Sequence, residues 1–320
     1  MTTRLLMDVD TGVDDAVALM WALADGGVDL VAVTCCAGNV TAPQAAANTL
    51  AVLELCGAGN IEVAVGSEAP LVEPLRTATS HGRRGLGYAE LPAARSFVSA
   101  RFAPDLIADE ARRSPGELLL VATGPLTNVA LALRREPELP RLLRRLAVMG
   151  GSFEYPGNTT PVAEFNVSVD PEAASTVLRA FSSAAERPLV CGLNVTERTK
   201  LRPRHVRRLH ELAPGEDGVA GFVSDAVRVK FETNESGGGD PVAHMHDPLA
   251  LGLALDPSLG ETRPATVDVE LSGRLTRGMT VVDWEGQWGR PHNADVAIDV
   301  DAERFLDELV LRLAELARRL

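Results

Sequence analysis

The stretch LLMDVDTGVDDAVAL, residues 5–19, places four carboxylates where a strand gives way to a helix. Leu5–Val9 is an apolar run typical of a buried strand. Asp15–Ala24 has the pattern of a helix, which Asp25-Gly26-Gly27 would end. In an open α/β sheet, ligands bind beyond the carboxyl ends of the strands. The stretch therefore predicts both an α/β fold and a site at this edge of its sheet.

The same alternation of strand and helix continues along the chain. Apolar strands without polar alternation are typical of a parallel sheet that helices cover on both faces. We therefore predict one α/β domain over residues 1–320, built on an open, mainly parallel twisted sheet. Loops are expected at Ser67–Leu91 and Ser236–Pro248. Further strands are predicted at Val28–Thr34, Glu117–Ala122, Leu146–Met149 and Leu189–Leu193, and helices at Pro43–Leu55, Leu126–Arg134, Pro171–Phe181 and Glu303–Leu320.

The composition excludes several classes of protein. The chain is 46% hydrophobic and 23% charged, which is a globular rather than a disordered balance. A formal net charge of −13 disfavours nucleic-acid binding, because phosphates would be repelled. No apolar run approaches the ~20 residues that span a bilayer. Two aspartates precede any signal-peptide core, so we expect a cytoplasmic protein. Its cysteines should then be reduced: Cys35, Cys36, Cys56 and Cys191.

The four aspartates of residues 8–15 indicate a cation site. Asp8 and Asp10 alternate along the strand end and would share a face. Asp14 and Asp15 fall in the first turn of the helix, where the dipole offsets at most ~2 kcal/mol of repulsion. That is too little to hold four carboxylates together, so a hard cation is the natural partner, and oxygen ligands suit Ca²⁺ or Mg²⁺. The alternative is that Asp14 only caps the helix and the other aspartates are exposed.

Further polar residues follow the other predicted strands. Asn39, the TGPLTN segment at 123–128, Asn194 and the segment from Gly150 to AEFN at 163–166 should meet Asp10 at one edge of a parallel sheet. Amides and carboxylates without a basic cluster suit a neutral polyhydroxyl ligand such as a sugar. Late in the chain, Asp247 is a candidate to complete the cation site and His246 to move a proton. A purely structural histidine is the alternative.

With these motifs in place, the chain resembles the inosine–uridine-preferring nucleoside hydrolases over essentially its whole length. That family has a Rossmann-like α/β fold, depends on Ca²⁺ and forms homodimers or homotetramers. The resemblance implies hydrolysis of the N-glycosidic bond of ribonucleosides to free base and ribose. The motifs that carry it are DVDTGVDDAVAL (8–19), GN (38–39), HGRRGLG (81–87), ATGPLTNVAL (122–131), VMGG (148–151), GNTTPVAEFNVSVDPEAA (157–174), HD (246–247) and GMTVVD (278–283).

The resemblance also implies a role for each matching residue. The calcium ligands would be Asp10, Asp15, Asp247 and the backbone carbonyl of Thr123, and Asp10 would be the base that deprotonates the attacking water. The nucleobase side would have His246 as proton donor, with His81 close by. The remaining substrate contacts would be Asp14 and Asn166 on the ribose 2′- and 3′-hydroxyls, Asn158 and Glu164 on the 5′-hydroxyl, Asn39 near the water, and Met149 and Phe165 lining the sugar pocket.

One departure from the family leaves the preferred base open. The helix before the HD motif often carries tyrosines that contact the base, whereas Phe222–Glu235 has only Phe222 and Phe231. The purine-specific branch stacks the base between tryptophans, but none of the motifs above contains Trp21, Trp284 or Trp288.

Two other functions fit part of the pattern. A haloacid-dehalogenase-type Mg²⁺-dependent phosphatase has a DxDxT motif after a strand, which Asp8–Thr11 matches with Asp8 as nucleophile and Lys200 as a later basic residue. A non-enzymatic protein that binds nucleosides or ribose would use the same polar loops. It would have no need for a base, a water and a metal to meet.

Overall fold

A nine-stranded sheet runs through the part of the chain that the computed structural model describes, residues 2–215 and 218–320. Its strands lie in the order β10-β9-β11-β6-β5-β4-β1-β2-β3. Two short strands, β7 and β8, pair separately. The strands are β1 Thr3–Val9, β2 Val28–Cys35, β3 Glu62–Val65, β4 Leu118–Ala122, β5 Arg145–Met149, β6 Leu189–Cys191, β7 Lys200–Leu201, β8 Ala243–His244, β9 Gly260–Val269, β10 Thr280–Asp283 and β11 Ala294–Val300.

The order in which the chain adds strands to the sheet reverses at β1. Strands β2 and β3 extend the sheet on one side of β1, and β4, β5 and β6 extend it on the other, all in parallel pairs. A crevice opens at such a reversal, beyond the carboxyl ends of the two central strands. Those ends are Val9 of β1 and Ala122 of β4, so Asp10 and Thr123 are the first residues past them.

Helices cover both faces of this sheet. Alternate residues of β1 point to opposite faces, so Leu5 and Met7 join one apolar core while Leu6 joins the other. Helices α1, α2, α10, α11 and α12 pack on the first face, and α3, α4 and α7 on the second. The helices are α1 Val13–Ala24, α2 Ala42–Leu55, α3 Ala103–Arg113, α4 Thr127–Arg135, α5 Leu139–Leu142, α6 Phe165–Val169, α7 Pro171–Ala180, α8 Leu193–Thr196, α9 Pro203–Leu212, α10 Val219–Ser236, α11 His246–Leu255 and α12 Ala302–Arg319, with 3₁₀ turns at Phe181–Ser183 and Pro257–Leu259.

The predicted fold class is confirmed, and the predicted elements exist with ends shifted by a few residues. The amphipathic C-terminal helix is an example, because Phe305, Leu309 and Leu313 are all buried in the first core. The loop prediction for Ser67–Leu91 also holds, since no helix or strand lies there.

Two predictions of local structure are only partly right. The segment Ser236–Pro248 is only partly a loop, because β8 pairs antiparallel with β7 and α11 starts at His246. Pro248 is tolerated there because the first turn of a helix needs no backbone donors. The strand predicted at Leu189–Leu193 ends at Cys191, since Gly192 caps the short helix α8. The antiparallel strands β9 and β10 were not predicted.

Two further expectations about the chain can be compared with the structure. No helix in the described ranges combines the length and the apolar character that crossing a bilayer requires. All four cysteines are buried and none is in a disulfide.

Candidate active site

A cleft of about 220 Å³ opens at the crevice where the sheet order reverses. Nearly all of the residues to which the family resemblance gave a role line it, although they come from eight separate segments of the chain. Asp10 and Asp15 are the exceptions, because both are fully buried. The predicted residues in the lining are Asp14, Asn39, His81, Thr123, Met149, Asn158, Glu164, Phe165, Asn166, His246 and Asp247.

Asn39 joins the two fully buried aspartates to the cleft. Its backbone N–H donates to Asp10 Oδ2 at 2.6 Å, and its side-chain nitrogen donates to Asp10 Oδ1 at 3.1 Å. The same nitrogen lies 3.2 Å from Asp15 Oδ2. Burial, followed by repulsion from Asp15, raises the pKa of Asp10 well above its usual range. Two carboxylates share one amide here, so further positive charge would stabilise their ionised forms.

Asp14, Asp15 and Asp247 form the acidic group that could hold a metal. One carboxylate oxygen from each lies within 4.8 Å of the others, and all three residues are buried. Burial is the main cause that raises the pKa of each carboxyl, with repulsion from Asp14 adding to it at Asp15 and Asp247. The alternative in which Asp14 merely caps helix α1 does not hold: Gly12 is the cap residue, and its N–H donates to Asp15 at 2.9 Å.

An unsatisfied atom supports a cation at this position. Asp14 Oδ1 is buried and has no hydrogen-bond partner among the described residues. A buried carboxylate oxygen without a partner is costly, and a bound cation would supply one. The donor set consists of oxygens alone, which suits a hard cation. The residues present therefore fit a metal ion.

Thr123 and Asn166 close the floor of the cleft. The Thr123 hydroxyl donates to Asp15 Oδ1 at 2.8 Å and so orients that carboxylate. The Thr123 carbonyl, predicted as a metal ligand, accepts a hydrogen bond from the Asn166 side chain at 2.6 Å. That nitrogen also lies 3.2 Å from the Met149 carbonyl. The Asn166 side-chain oxygen accepts no hydrogen bond from the described residues, which leaves it for a ligand.

Glu164 and Asn158 have local partners that fix them. Glu164 caps the short helix α6, because its carboxylate accepts from the backbone N–H groups of Gly151, Asn166 and Val167 at 2.7–3.0 Å. Asn158 is exposed, and its side-chain oxygen accepts from the Phe165 N–H at 2.9 Å. Both residues still line the cleft.

Two histidines face the cleft and both are held by neighbours. His81 Nδ1 accepts from the Val13 N–H at 3.1 Å, so its proton is on Nε2. His246 Nδ1 lies 2.8 Å from the Thr196 hydroxyl. Burial and the nearby Lys230 ammonium lower the pKa of His81 and bring that of His246 to about 3. Both imidazoles are therefore neutral near pH 7.

His244 is placed differently from His246. Its Nε2 lies 3.1 Å from Glu197 Oε2, and it does not line the cleft. The two imidazoles stack with their centroids 5.5 Å apart. Of the two histidines in the HMH segment, His246 is therefore the one that lines the cleft.

Sequence reasoning missed Lys230, which helix α10 brings to the cleft. Its Nζ donates to the Ser80 hydroxyl at 3.1 Å. A signal was available, because the chain has only two lysines and this one lies in the helix that precedes the HD motif. An amphipathic helix nevertheless offers many polar positions, and the sequence does not say which of them meets a loop 150 residues away.

Three polar residues predicted to converge on the site stabilise the sheet instead: Asp8, Asn128 and Asn194. Asp8 is fully buried, and its Oδ1 accepts from Thr34 at 2.7 Å and from Asn128 at 2.8 Å. Asn194 donates to the Ala297 carbonyl at 2.8 Å. None of these residues lines the cleft. These contacts do not support a phosphatase with Asp8 as nucleophile, because Thr34 and Asn128 hold that carboxylate inside the sheet, whereas Asp10 is hydrogen-bonded to Asn39 of the cleft lining.

Comparison with known proteins decides the family. Residues 5–307 match the family described as inosine-uridine preferring nucleoside hydrolase. The chain belongs to this family. It is a hydrolase that acts on the N-glycosyl bonds of nucleosides. The alternative of a non-enzymatic nucleoside- or ribose-binding protein therefore does not hold.

Its relatives span the whole chain. A pyrimidine-specific ribonucleoside hydrolase RihA from Citrobacter koseri is 39% identical over 317 residues, covering 98% of this chain and 99% of the relative. The namesake from Shewanella woodyi is 36% identical over 99% of this chain and 100% of its own. Among solved structures, a purine-preferring ribonucleoside hydrolase from Gardnerella vaginalis has a TM-score of 0.91 at 30% identity, over 99% of this chain and 100% of that one. Nucleoside hydrolases with either base preference thus share this architecture.

Proposed function

We propose that this nucleoside hydrolase releases the base from ribonucleosides by inverting attack of water on C1′, with Asp10 as the base and Ca²⁺ as the cofactor. The observation that carries the proposal is the Asp10 carboxylate, held by two hydrogen bonds from Asn39 directly beyond the end of β1. That geometry fixes a basic oxygen pair behind the cleft. The ligands for calcium would be Asp10, Asp15, Asp247 and the Thr123 carbonyl.

The negative charge of the site complements the positive charge that develops on the sugar during the reaction. As the C1′–N bond breaks, its electron pair moves to the base, and positive charge spreads over C1′ and the ring oxygen. Carboxylates fixed around the cleft stabilise that charge without reorganising. Water adds its oxygen to C1′, keeps one hydrogen in the new hydroxyl and gives the other as a proton to Asp10. The departing base takes a proton from solvent, and Asp10 returns its own to solvent, so that the carboxylate is regenerated. When bound, calcium would supply Lewis-acid activation of the water and would hold the ribose diol.

The remaining residues of the cleft hold the sugar. Asp14, whose carboxylate would also lie beside the metal, and the Asn166 side-chain oxygen, which accepts no hydrogen bond from the described residues, are the acceptors proposed for the 2′- and 3′-hydroxyls. Asn158 and Glu164 are proposed for the 5′-hydroxyl. Met149 and Phe165 contribute apolar surface, and His246 is proposed on the side of the nucleobase. A cis diol fits these acceptors, whereas a deoxyribose leaves one of them unpaired.

Three wider properties belong to the same proposal. We expect residues 1–320 to fold as one domain, since the single large sheet includes strands from Thr3 to Val300. The enzyme is proposed to act in the cytoplasm, where its buried cysteines stay reduced. It is proposed to form homodimers or homotetramers, as the family resemblance implies.

A panel of ribonucleosides tests the proposal directly. Purified enzyme with Ca²⁺ should release free base and ribose in equal amounts, and p-nitrophenyl phosphate should remain intact. A chelator should stop the release, and added Ca²⁺ should restore it. Release of base from no ribonucleoside by folded, calcium-loaded protein would overturn the proposal.

A further inference from the structure

Lys230 is a cation in the cleft that is short of hydrogen-bond partners. Helix α10 carries its partly buried side chain into the lining, beside His81 and His246. An ammonium has three donors, and among the described residues only the Ser80 hydroxyl accepts from it. Two donors therefore remain for a bound molecule.

The carboxylates of the cleft do not use those donors. Burial lowers the pKa of Lys230, and the nearby carboxylates of Asp14 and Asp247 oppose that shift only in part. No ion pair within 4.0 Å joins either of them to Lys230. The Lys230 ammonium therefore lies near the acidic group without forming an ion pair with it. A lysine whose only role was to neutralise these aspartates would be expected to contact one of them.

The chemistry of an ammonium restricts what it can bind. It has no acceptor, so its partner has to offer one, and the strongest partner is an oxygen that carries or gains negative charge. The other polar groups around the ribose site, from Asp14, Glu164 and Asn166, supply oxygen acceptors suited to hydroxyls. Of a ribonucleoside, only the base can offer a carbonyl oxygen.

We propose that Lys230 is a catalytic, specificity-determining residue that binds the 2-oxo oxygen of a pyrimidine base and stabilises the charge that develops there. This inference rests on the function proposed above and names its substrate class. When the C1′–N1 bond breaks, its electron pair enters the pyrimidine ring and part of the charge moves to O2. The ammonium stabilises that oxygen until N1 takes up a proton.

The same ammonium should stabilise a departing purine less than a departing pyrimidine. Adenine has no carbonyl oxygen, and the electron pair from its glycosidic nitrogen spreads over ring nitrogens instead. The side chain of Lys230 therefore favours uridine over adenosine, because the difference arises in the transition state and appears in kcat/KM. This preference agrees with the pyrimidine-specific names of relatives that are 36–39% identical.

Substitution of Lys230 by methionine and by glutamine tests the role. Uridine, adenosine and p-nitrophenyl riboside are compared, because nitrophenolate leaves readily and needs little help. Lys230→Met should lower kcat/KM for uridine by about 10²-fold, the usual cost of removing a fixed donor from developing negative charge. Adenosine and p-nitrophenyl riboside should change by less than about threefold. Lys230→Gln, which keeps a neutral donor, should fall between wild type and Lys230→Met on uridine.

The controls separate this inference from the proposed function. Lys200, the other lysine of the chain, is exposed on β7, and Lys200→Met should leave all three rates unchanged. Equal losses on uridine and p-nitrophenyl riboside would assign Lys230 to neutralising the carboxylates and overturn the inference, as would an unchanged rate on uridine. If the wild-type enzyme releases base from no ribonucleoside, the proposed function fails first.

Discussion

Asn39 binds both oxygens of Asp10, donating from its backbone to Oδ2 at 2.6 Å and from its side chain to Oδ1 at 3.1 Å. This two-point contact fixes the carboxylate plane at the end of the central strand. The loop after β2 therefore determines where the proposed base points. Since β1 and β2 are neighbours in the sheet, their pairing brings Asn39 and Asp10 together.

Asp10→Asn should leave the fold intact and lower kcat by at least about 100-fold, the lower end for loss of a general base. The amide has nearly the same shape, but it cannot accept a proton from water. Steady-state rates on uridine check this, with circular dichroism and thermal melting to confirm folding. Near-normal turnover by the folded variant would assign the base to another residue.

Removal of calcium should abolish activity and destabilise the protein. Without the ion, Asp14, Asp15 and Asp247 lie buried within 4.8 Å of one another and repel. A ligand at 100 times its dissociation constant stabilises a protein by about 2.7 kcal/mol, so melting with and without a chelator should differ measurably. Full activity in a preparation shown by elemental analysis to be free of metal would contradict the cofactor assignment.

Deoxyribonucleosides should be poor substrates. Loss of the 2′-hydroxyl leaves one of the two acceptors proposed for the diol, the Asp14 carboxylate or the Asn166 oxygen, without a partner. A site built around a hydroxyl can reject an analogue that lacks it by roughly 10⁴-fold in kcat/KM. Uridine and deoxyuridine give the direct comparison, and similar values for the two would remove the ribose assignment.

Gly38→Ala should disable the site through Asp10. A Cβ at this position would lie 2.1 Å from Asp10 Oδ2 and 2.8 Å from the Pro125 ring. One of these groups has to move, and a shift of about 1 Å at a reacting group can lower the rate by roughly 10²-fold. Gly26→Ala is the matched control, because nothing lies within 4 Å of its Cβ. Equal activity in both variants would mean that the Asp10 position tolerates displacement.

The sequence predicted the parts of this enzyme whose signals are local. Uninterrupted apolar runs such as Leu5–Val9 marked the parallel strands, and four aspartates in eight residues marked the site. Strand β9 gave no comparable signal, because Gly260–Val269 is charged and exposed over its first half. Lys230 was missed for a different reason: its place in the cleft depends on how α10 packs against distant loops. Asp8 was assigned to the site because the alternation of strand residues does not show that its carboxylate is enclosed by Thr34 and Asn128.

His246→Ala tests activation of the leaving group independently of activation of the sugar. The imidazole is neutral near pH 7, because burial brings its pKa to about 3, and the Thr196 hydroxyl at 2.8 Å orients the ring. A neutral imidazole donates one N–H to the base. Its loss should slow uridine hydrolysis by about 10²-fold, the usual cost of removing one fixed hydrogen-bond donor from developing negative charge. Hydrolysis of p-nitrophenyl riboside should barely change, since its leaving group departs as a stable anion.

His244→Ala is the paired control for this prediction. His244 contacts Glu197 at 3.1 Å outside the cleft, so its loss should spare both substrates. If His246 only supports its neighbour Asp247, then His246→Ala should weaken calcium binding and slow both substrates equally. That result would show that His246 does not act on the leaving nucleobase. A selective loss on uridine in His244→Ala would transfer the role to His244. The ratio of the two rates in each variant therefore identifies the histidine that acts on the leaving base.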